Sequence, residues 1–262
     1  MSVAATAKAL GVGWELVNKV AVTATRNLVY ADPSHLAGVR ILGVDEHVWK
    51  HTRRPGEPSS MVTVLVDLTP LVDGAGPARL IDMRPGRSAE VLRTWLRERD
   101  PQFRAGVQVV KMDGFAGYAT AVDHDLPAAR KVMDPFHVVH LAAEKLTGCR
   151  QRLQRETTGR RGRKDDPLYK HRRSLMTRVI HTLHKGLPEG LEELAQLGRT
   201  LWRRRADILA YFDLGASNGP VEAINGRLEH LRGIALGFRN LNHYILTSLV
   251  HSGRLQDRIN AL

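Results

Sequence analysis

Short apolar runs rich in β-branched residues alternate with polar turns in the first half of the chain. The runs that predict strands span residues 41–46, 61–67, 78–83, 107–113 and 130–134. The first three follow one another with short connections, which predicts an antiparallel meander. Helices are predicted from Ser88, a typical N-cap, and over residues 116–122. The order β-β-β-α-β-α-β predicts an α/β fold with a mixed sheet covered by helices.

From about Val138 the apolar positions follow a helical period instead. A strongly basic segment interrupts this pattern, and helical stretches resume near Leu191 and continue past Trp202 until Gly215. A further helix is predicted to start near Ser217 and to carry Glu222 in its first turn. Leu241, Ile245 and Leu249 mark a final helix with one apolar stripe.

The N-terminal residues 6–20 have the spacing of a helix-turn-helix, with Ala7, a turn glycine at Gly11 and apolar contacts at Leu10 and Val17. In that motif the second helix enters the major groove of DNA. A helical hairpin that only caps a domain has the same loose pattern. The sequence leaves both interpretations open.

Composition and charge narrow the functional classes. The chain carries 39 Lys and Arg against 27 Asp and Glu, a net charge of +12 that favours a polyanionic partner, nucleic acid before membrane. No run of 18 apolar residues could span a bilayer, and we expect a cytoplasmic protein without a signal peptide. Cys149 is the only cysteine, which excludes an internal disulfide or a cysteine-rich zinc site. Residues 150–185 contain twelve Lys and Arg against three acids, so most of the excess charge is local.

Acidic residues end several of the predicted elements. Asp45, Asp67, Asp113 and Asp134 close strands, and Glu222 opens a helix. Three carboxylates on three separate elements suit a two-metal phosphoryl-transfer site. Strand-terminal aspartates also start turns, an explanation that fits Asp67 best and Asp45 worst, and a helix dipole alone favours Glu222. Spacing alone does not choose among these acids.

His137 and His140 lie three residues apart, but a zinc site would need further His or Cys donors at fitting spacing. We interpret them as packing groups or as neighbours of metal ligands. The roles of His137 and Asp134 stay open.

An ordered set of motifs resembles the DDE transposases of bacterial insertion sequences, specifically the ISL3 family. The matching segments are residues 43–46, 113–118, 128–137 and 217–225, followed by Arg232, Gly237, Phe238 and Asn240. The resemblance implies an RNase H-like fold in which Asp45, Asp113 and Glu222 are the catalytic, metal-binding triad for two Mg²⁺ (or Mn²⁺) ions. It also implies that residues 31–140 and 211–262 form the catalytic core and that residues 141–210 are a basic helical insertion.

Members of this family usually carry a cysteine-rich zinc segment and a full helix-turn-helix before the catalytic core. Residues 1–30 resemble only a remnant of that region, so we expect an N-terminally truncated member. The truncation would affect recognition of element ends more than the chemistry of the triad.

The function that the resemblance implies is DNA transposition: metal-dependent cleavage and transfer of strands at the ends of an insertion sequence, with a homo-oligomer assembled on the DNA. An RNase H-like nuclease or resolvase, and an inactive DNA-binding regulator, are the alternatives. Two basic clusters are expected to contact phosphates, the first with Arg160, Arg161, Arg163 and Lys164, the second with Arg203, Arg204 and Arg205.

Overall fold

A computed structural model describes residues 3–51, 60–160, 189–214 and 219–255. The described residues up to Lys131 and from Gly219 onward form one compact unit, and those from Val132 to Leu214 form a second. The first unit holds most of the sheet and both of its hydrophobic cores. The second unit consists mainly of helices.

The sheet has five strands in the order β3-β2-β1-β4-β5, with bounds β1 Ile41–Val48, β2 Met61–Asp67, β3 Arg79–Pro85, β4 Val109–Met112 and β5 Arg130–Met133. β2 is antiparallel to both β1 and β3, which confirms the predicted meander. β1 and β4 are parallel, with Gly43 opposite Lys111. The sheet is therefore mixed, and its central strand β1 has an antiparallel neighbour on one side and a parallel neighbour on the other.

The helices of the described residues follow in chain order: α1 Val3–Leu10, α2 Trp14–Arg26, α3 Thr69–Val72, α4 Ala89–Arg97, α5 Pro101–Gly106, α6 Ala116–Asp125, α7 Pro135–Thr158, α8 Glu192–Arg203, α9 Arg205–Leu214, α10 Gly219–Ile234 and α11 Leu241–Ser252. A π-helical turn at Asn27–Ala31 and a 3-10 turn at Pro33–Leu36 lead into β1. None of the described helices is long and apolar enough to cross a membrane.

The two faces of the sheet bury different cores because successive side chains of a strand point to opposite sides. On one face, Val62, Val64 and Val66 of β2 pack with apolar residues of α10 and α11. On the other face, Leu42 and Val44 of β1 pack with residues of α4 and α6. The alternation places Gly43 and Asp45 on the face that α10 and α11 cover.

Local capping explains several helix starts and corrects two strand ends. The hydroxyl of Ser88 accepts a hydrogen bond from the backbone N–H of Val91 at 3.2 Å, as expected for an N-cap. The strand expected over residues 107–113 spans only Val109–Met112, and the side chain of Asp113 accepts from the N–H of Phe115 in the turn that follows. The strand expected over residues 130–134 ends at Met133, because the Asp134 side chain accepts from the N–H of Phe136 and caps α7.

The second unit packs α7 against α8. Arg152 of α7 connects them, because its guanidinium donates to the carboxylate of Glu193 at 2.7 Å and also reaches Glu192 at 3.3 Å. α7 ends at Thr158, and its C-cap Gly159 has a positive φ of 66°, which suits a residue without a side chain. This unit overlaps the basic helical insertion expected at 141–210, although the compact unit starts earlier, at Val132. The expected domain boundaries stay predictions.

Candidate metal centre

Two buried aspartates lie next to each other on neighbouring strands of the first unit. β1 continues to Val48, beyond the strand expected over residues 41–46, so Asp45 lies inside it, whereas Asp113 directly follows the last residue of β4. Because β1 and β4 are adjacent and parallel, their carboxyl ends meet at the same edge of the sheet. Oxygens of Asp45, Glu46 and Asp113 all lie within 4.8 Å of one another, a spacing that allows a shared cation.

Hydrogen bonds fix the orientation of Asp45. Its Oδ1 accepts from the backbone N–H of Glu46 at 2.8 Å, and its Oδ2 accepts from the side-chain amide of Asn225 at 2.9 Å. The same amide lies 3.3 Å from the backbone carbonyl oxygen of Glu46. Asn225 belongs to α10, so this contact ties the helix to the strand that carries the first acid.

Asp113 is held by the turn that follows β4. Its Oδ1 accepts from the backbone N–H of Phe115 at 2.9 Å, and the residue is only 4% exposed. The guanidinium of Arg87 lies 3.6 Å from Oδ2 of Asp113 and 3.0 Å from Oε1 of Glu46. Arg87 also lies over the ring of Phe115, 4.5 Å from its centroid. One half-buried arginine therefore compensates part of the negative charge of this cluster.

Arg87 balances only part of the negative charge of Asp45, Glu46 and Asp113, as the pKa of Glu46 indicates. Burial, together with the neighbouring carboxylate of Asp113, raises the pKa of Glu46 to about 8, although Arg87 acts in the opposite direction. Oε2 of Glu46 is buried and has no hydrogen-bond partner among the residues that the structure describes. Crowded carboxylate oxygens and an unpartnered acceptor fit a hard divalent cation such as Mg²⁺ or Mn²⁺, which takes oxygen ligands.

The close approach of α10 to β1 depends on a glycine. A Cβ on Gly43 would lie 2.6 Å from Cγ2 of Val221 and 3.1 Å from Cδ1 of Leu68. Val221 is fully buried, so α10 rests directly on the bare backbone of β1. This contact sets the distance from the strand to the next residue of the helix, Glu222, and to Asn225 one turn further.

Glu222 itself lies in the exposed first turn of α10, as the sequence predicted for a helix start. Its carboxylate is not part of the group that Asp45, Glu46 and Asp113 form. Asn225 follows it by three residues, a spacing that puts both side chains on similar faces of the helix. The third member of the expected triad is therefore on the helix that contacts Asp45, but it stays a prediction as a metal ligand.

Asp67, Asp134 and His137, also considered from the sequence, lie outside this cluster. Asp67 starts a turn, because it accepts from the N–H of Thr69 at 2.9 Å, and it pairs with Arg79 at 2.9 Å. Asp134 caps α7. Nε2 of His137 is buried and has no hydrogen-bond partner among the described residues.

The expected DNA-contacting residues are described only in part. Arg160 is exposed just after α7, whereas Arg161, Arg163 and Lys164 lie outside the described residues. Arg203 and Arg205 are exposed, and the guanidinium of Arg205 lies 4.6 Å from the centre of the Trp202 ring. Arg204 is half-buried and approaches Asp207 at 3.5 Å. The second cluster is thus a basic surface on α8 and α9 with one inward-facing member.

Three residues of the centre were not identified from the sequence: Glu46, Arg87 and Asn225. Glu46 directly follows Asp45, so the sequence did indicate that a second carboxylate lies beside the first acid. Asn225 lies three residues after Glu222, which would have suggested a shared helix face. Arg87 precedes the N-cap of α4 in a turn, and nothing in the sequence pattern links that turn to the ends of β1 and β4.

A mixed sheet in this order, with acids on β1 and directly after the adjacent parallel strand β4 and with helices on both faces, defines an RNase H-like α/β protein. A family model described as a transposase, that of the ISL3 group of DDE transposases, matches residues 42–185 and 178–248. The matches cover most of the chain, which therefore belongs to this transposase family. A comparison with curated proteins finds no match.

Proposed function

We propose that this protein binds DNA and catalyses metal-dependent strand cleavage and strand transfer, with Asp45, Asp113 and Glu222 as the catalytic acids. The observation that carries the proposal is the pair of buried aspartates where β4 ends beside β1, in a chain that belongs to a transposase family. The substrate would be DNA at the ends of an insertion sequence and at the target site. A homo-oligomer on the DNA is part of the same proposal.

Asp45, Asp113 and Glu222 would hold two Mg²⁺ or Mn²⁺ ions. When bound, such ions supply Lewis-acid stabilisation of phosphate charge and lower the pKa of attacking water. The chain's own residues prepare the site. Asn225 and the backbone N–H of Glu46 fix the two oxygens of Asp45, and the N–H of Phe115 fixes one oxygen of Asp113.

Arg87 would contribute charge balance. Its guanidinium faces both Glu46 and Asp113, so it limits the repulsion between them before cations bind. Its position beside the acids also suits contact with a phosphate of the substrate, because guanidinium groups bind phosphate oxygens through paired donors.

The basic segments would supply affinity for the DNA backbone. Each lost phosphate contact flattens the dependence of log K on log salt by about 0.9 on duplex DNA. Changing Arg160, Arg161, Arg163 and Lys164 to Gln is therefore expected to flatten that slope by roughly two to four and to weaken binding to all sequences alike. An unchanged slope would move the DNA path toward Arg203, Arg204 and Arg205.

The decisive experiment measures nicking of supercoiled plasmid and joining of a pre-cut 3′ end to a target, each with Mg²⁺, with Mn²⁺ and with EDTA. Asp45→Asn, Asp113→Asn and Glu222→Gln should each lower both rates by roughly a hundred-fold or more, because several kcal/mol of charge stabilisation is lost. DNA binding by these variants should persist.

Asp100→Asn is the matched control. Asp100 caps α5 by accepting from the N–H of Phe103, as Asp113 accepts from Phe115, and Asn retains the cap. This variant should keep full activity. Undiminished cleavage by any one of the three acid variants would remove that residue from the catalytic set. Nicking without joining would indicate a nuclease or resolvase, and binding without nicking a regulator.

A further inference from the structure

A groove of about 570 Å³ runs along α2 in the first unit. Trp14, Asn18, Val22 and Arg26 form one wall at four-residue intervals, so they make a single stripe on that helix. The opposite wall comes from the segment between α10 and α11 and from the first turns of α11. This volume is within the range of pockets that bind small organic groups.

The lining of the groove combines flat aromatic surface with positive charge. Trp14 is 49% exposed, although tryptophan is among the most buried residues on average. Phe238 contributes a second ring, and the amides of Asn18 and Asn242 add donors and acceptors. Among the residues that the structure describes, none that lines the groove is an Asp or a Glu.

Two exposed arginines, Arg26 and Arg239, flank these rings and amides. Neither forms an ion pair with any residue of the described part of the chain. Two arginines without an ion pair to a described residue, in a groove whose described lining contains no acid, favour an anionic occupant. An exposed ring beside them favours a planar one, because bases stack on aromatic side chains whatever their sequence.

The loop beside this groove presents an unusual leucine. Leu236 is 97% exposed and has a φ of 53°, in the left-handed region that Gly or Asn usually occupies. The conformation itself ends α10, since the N–H of Gly237 donates to the carbonyl of Arg232 at 2.9 Å. The end of the helix therefore explains the backbone conformation of Leu236 but not its large apolar side chain. Ile234, 67% exposed, extends the same apolar tip.

We propose that this groove binds a single unstacked nucleotide of the DNA, and that Leu236 fills the space that the nucleotide leaves in the duplex. The base would stack on Trp14, and Arg26 and Arg239 would contact its phosphates. Apolar side chains that enter a base step unstack it, and enzymes that bind the extruded base use aromatic and polar walls of this kind. The inference rests on the proposed function, because it requires DNA as the partner.

A chain of contacts links the groove to the candidate metal centre within the same unit. The ring of Phe238 packs edge-on against Tyr244, with ring centres 4.9 Å apart. The hydroxyl of Tyr244 lies 2.7 Å from Nε2 of His47, which belongs to β1 two residues after Asp45. A nucleotide held in the groove would thus be fixed relative to the strand that carries the first acid.

The test compares binding of the full chain to two duplexes of one sequence, fully paired or with one unpaired, bulged nucleotide. The wild type should bind the bulged duplex several-fold more tightly, because an unpaired nucleotide costs less free energy to unstack than a paired one. Trp14→Ala should lose that preference through a roughly five-fold or larger loss on bulged DNA, as expected for removal of one stacking partner. Leu16→Ala, a change at a 54% exposed leucine of α2 outside the groove, should keep the preference.

Leu236→Asn tests the role of Leu236 separately from that of the groove, since Asn tolerates the left-handed conformation and lacks the apolar side chain. This variant should bind paired DNA more weakly and bulged DNA as well as the wild type does. Equal binding of both duplexes by the wild type, or no effect of Trp14→Ala on the bulged duplex, would overturn the inference while leaving the proposed function intact. Failure to bind either duplex would overturn both.

Discussion

Replacing Gly43 with Ala tests whether the approach of α10 to β1 positions the catalytic machinery. Gly43 lies in the middle of β1, two residues before Asp45. An added methyl group would meet Val221 at 2.6 Å and Leu68 at 3.1 Å, whereas carbon atoms in contact prefer about 3.5–4.0 Å. The helix or the strand must therefore move by about 1 Å to accept it.

The expected cost follows from this overlap. Overpacking of a filled core costs about 1–3 kcal/mol, and replacing a strand glycine recovers roughly 0.5–1 kcal/mol. We expect Gly43→Ala to lower the free energy of unfolding by about 1–2 kcal/mol. A shift of about 1 Å in α10 also disturbs the hydrogen bond between Asn225 and Asp45, and misplacement on this scale can lower a rate about a hundred-fold.

The assay is a double-mutant cycle with Val221→Ala, measured by urea unfolding and by metal-dependent plasmid nicking. Val221→Ala alone should cost about 2 kcal/mol, since it removes two buried methyl groups. In the double variant the new methyl group at position 43 occupies the vacated space. The double variant should therefore lose about 1–2 kcal/mol less stability than the sum of the two single-variant losses. Nicking should recover in parallel.

Gly226→Ala is the control, because it makes the same change on α10 at a position where an added Cβ meets nothing within 4 Å. It should leave nicking unchanged and stabilise the protein slightly, as a helix-interior glycine is replaced. The positioning argument fails if Gly43→Ala unfolds and nicks like the wild type. It also fails if its effects and those of Val221→Ala are simply additive.

Three further outcomes are expected. The pKa of Glu46, raised from 4.5 to about 8, means that the folded, metal-free protein holds a proton there that the unfolded chain releases. Its free energy of unfolding should therefore fall as pH rises from about 5 to 8 in urea titrations, and Glu46→Gln should remove that part of the slope. Leu236→Gly should raise the melting temperature, because the left-handed conformation costs a leucine about 1–2 kcal/mol; a lower value would show that the leucine stabilises the fold. Asp125→Asn should cost about 1–3 kcal/mol, since its 5% exposed carboxylate pairs with two arginines of α4, whereas Asp123→Asn, at a 63% exposed carboxylate, should change stability by less than about 1 kcal/mol.

The sheet could be predicted from the sequence because its strands are short apolar runs separated by clear turns. The errors fall at strand ends, where one side chain decides between continuing the strand and capping the next element. Asp134 is an example: the apolar pattern continues to it, but its carboxylate bonds to the N–H of Phe136 and starts α7. Such competition depends on a local hydrogen bond that hydrophobic periodicity does not contain.

The candidate site was predictable only as far as the strands position it. Asp45 and Asp113 end runs that become adjacent parallel strands, and the resemblance to a family selected them among four aspartates. The pairing of Asn225 with Asp45 spans 180 residues, and the approach of Arg87 to Asp113 crosses from one turn to another. Contacts of this kind arise from tertiary packing and leave no periodic signal.

Asp45 and Glu46 share one segment but differ in environment, which accounts for their different expected roles. Successive side chains of β1 point to opposite faces, so Asp45 faces α10 and accepts two hydrogen bonds, while Glu46 faces the turn of Arg87. The two hydrogen bonds hold the carboxyl group of Asp45 in one orientation, from which it could bind a cation. An acid whose pKa is raised beside Asp113 instead holds a proton near neutral pH, so cation binding at this cluster should release it. The pKa of Glu46 would therefore make metal affinity at this centre depend on pH.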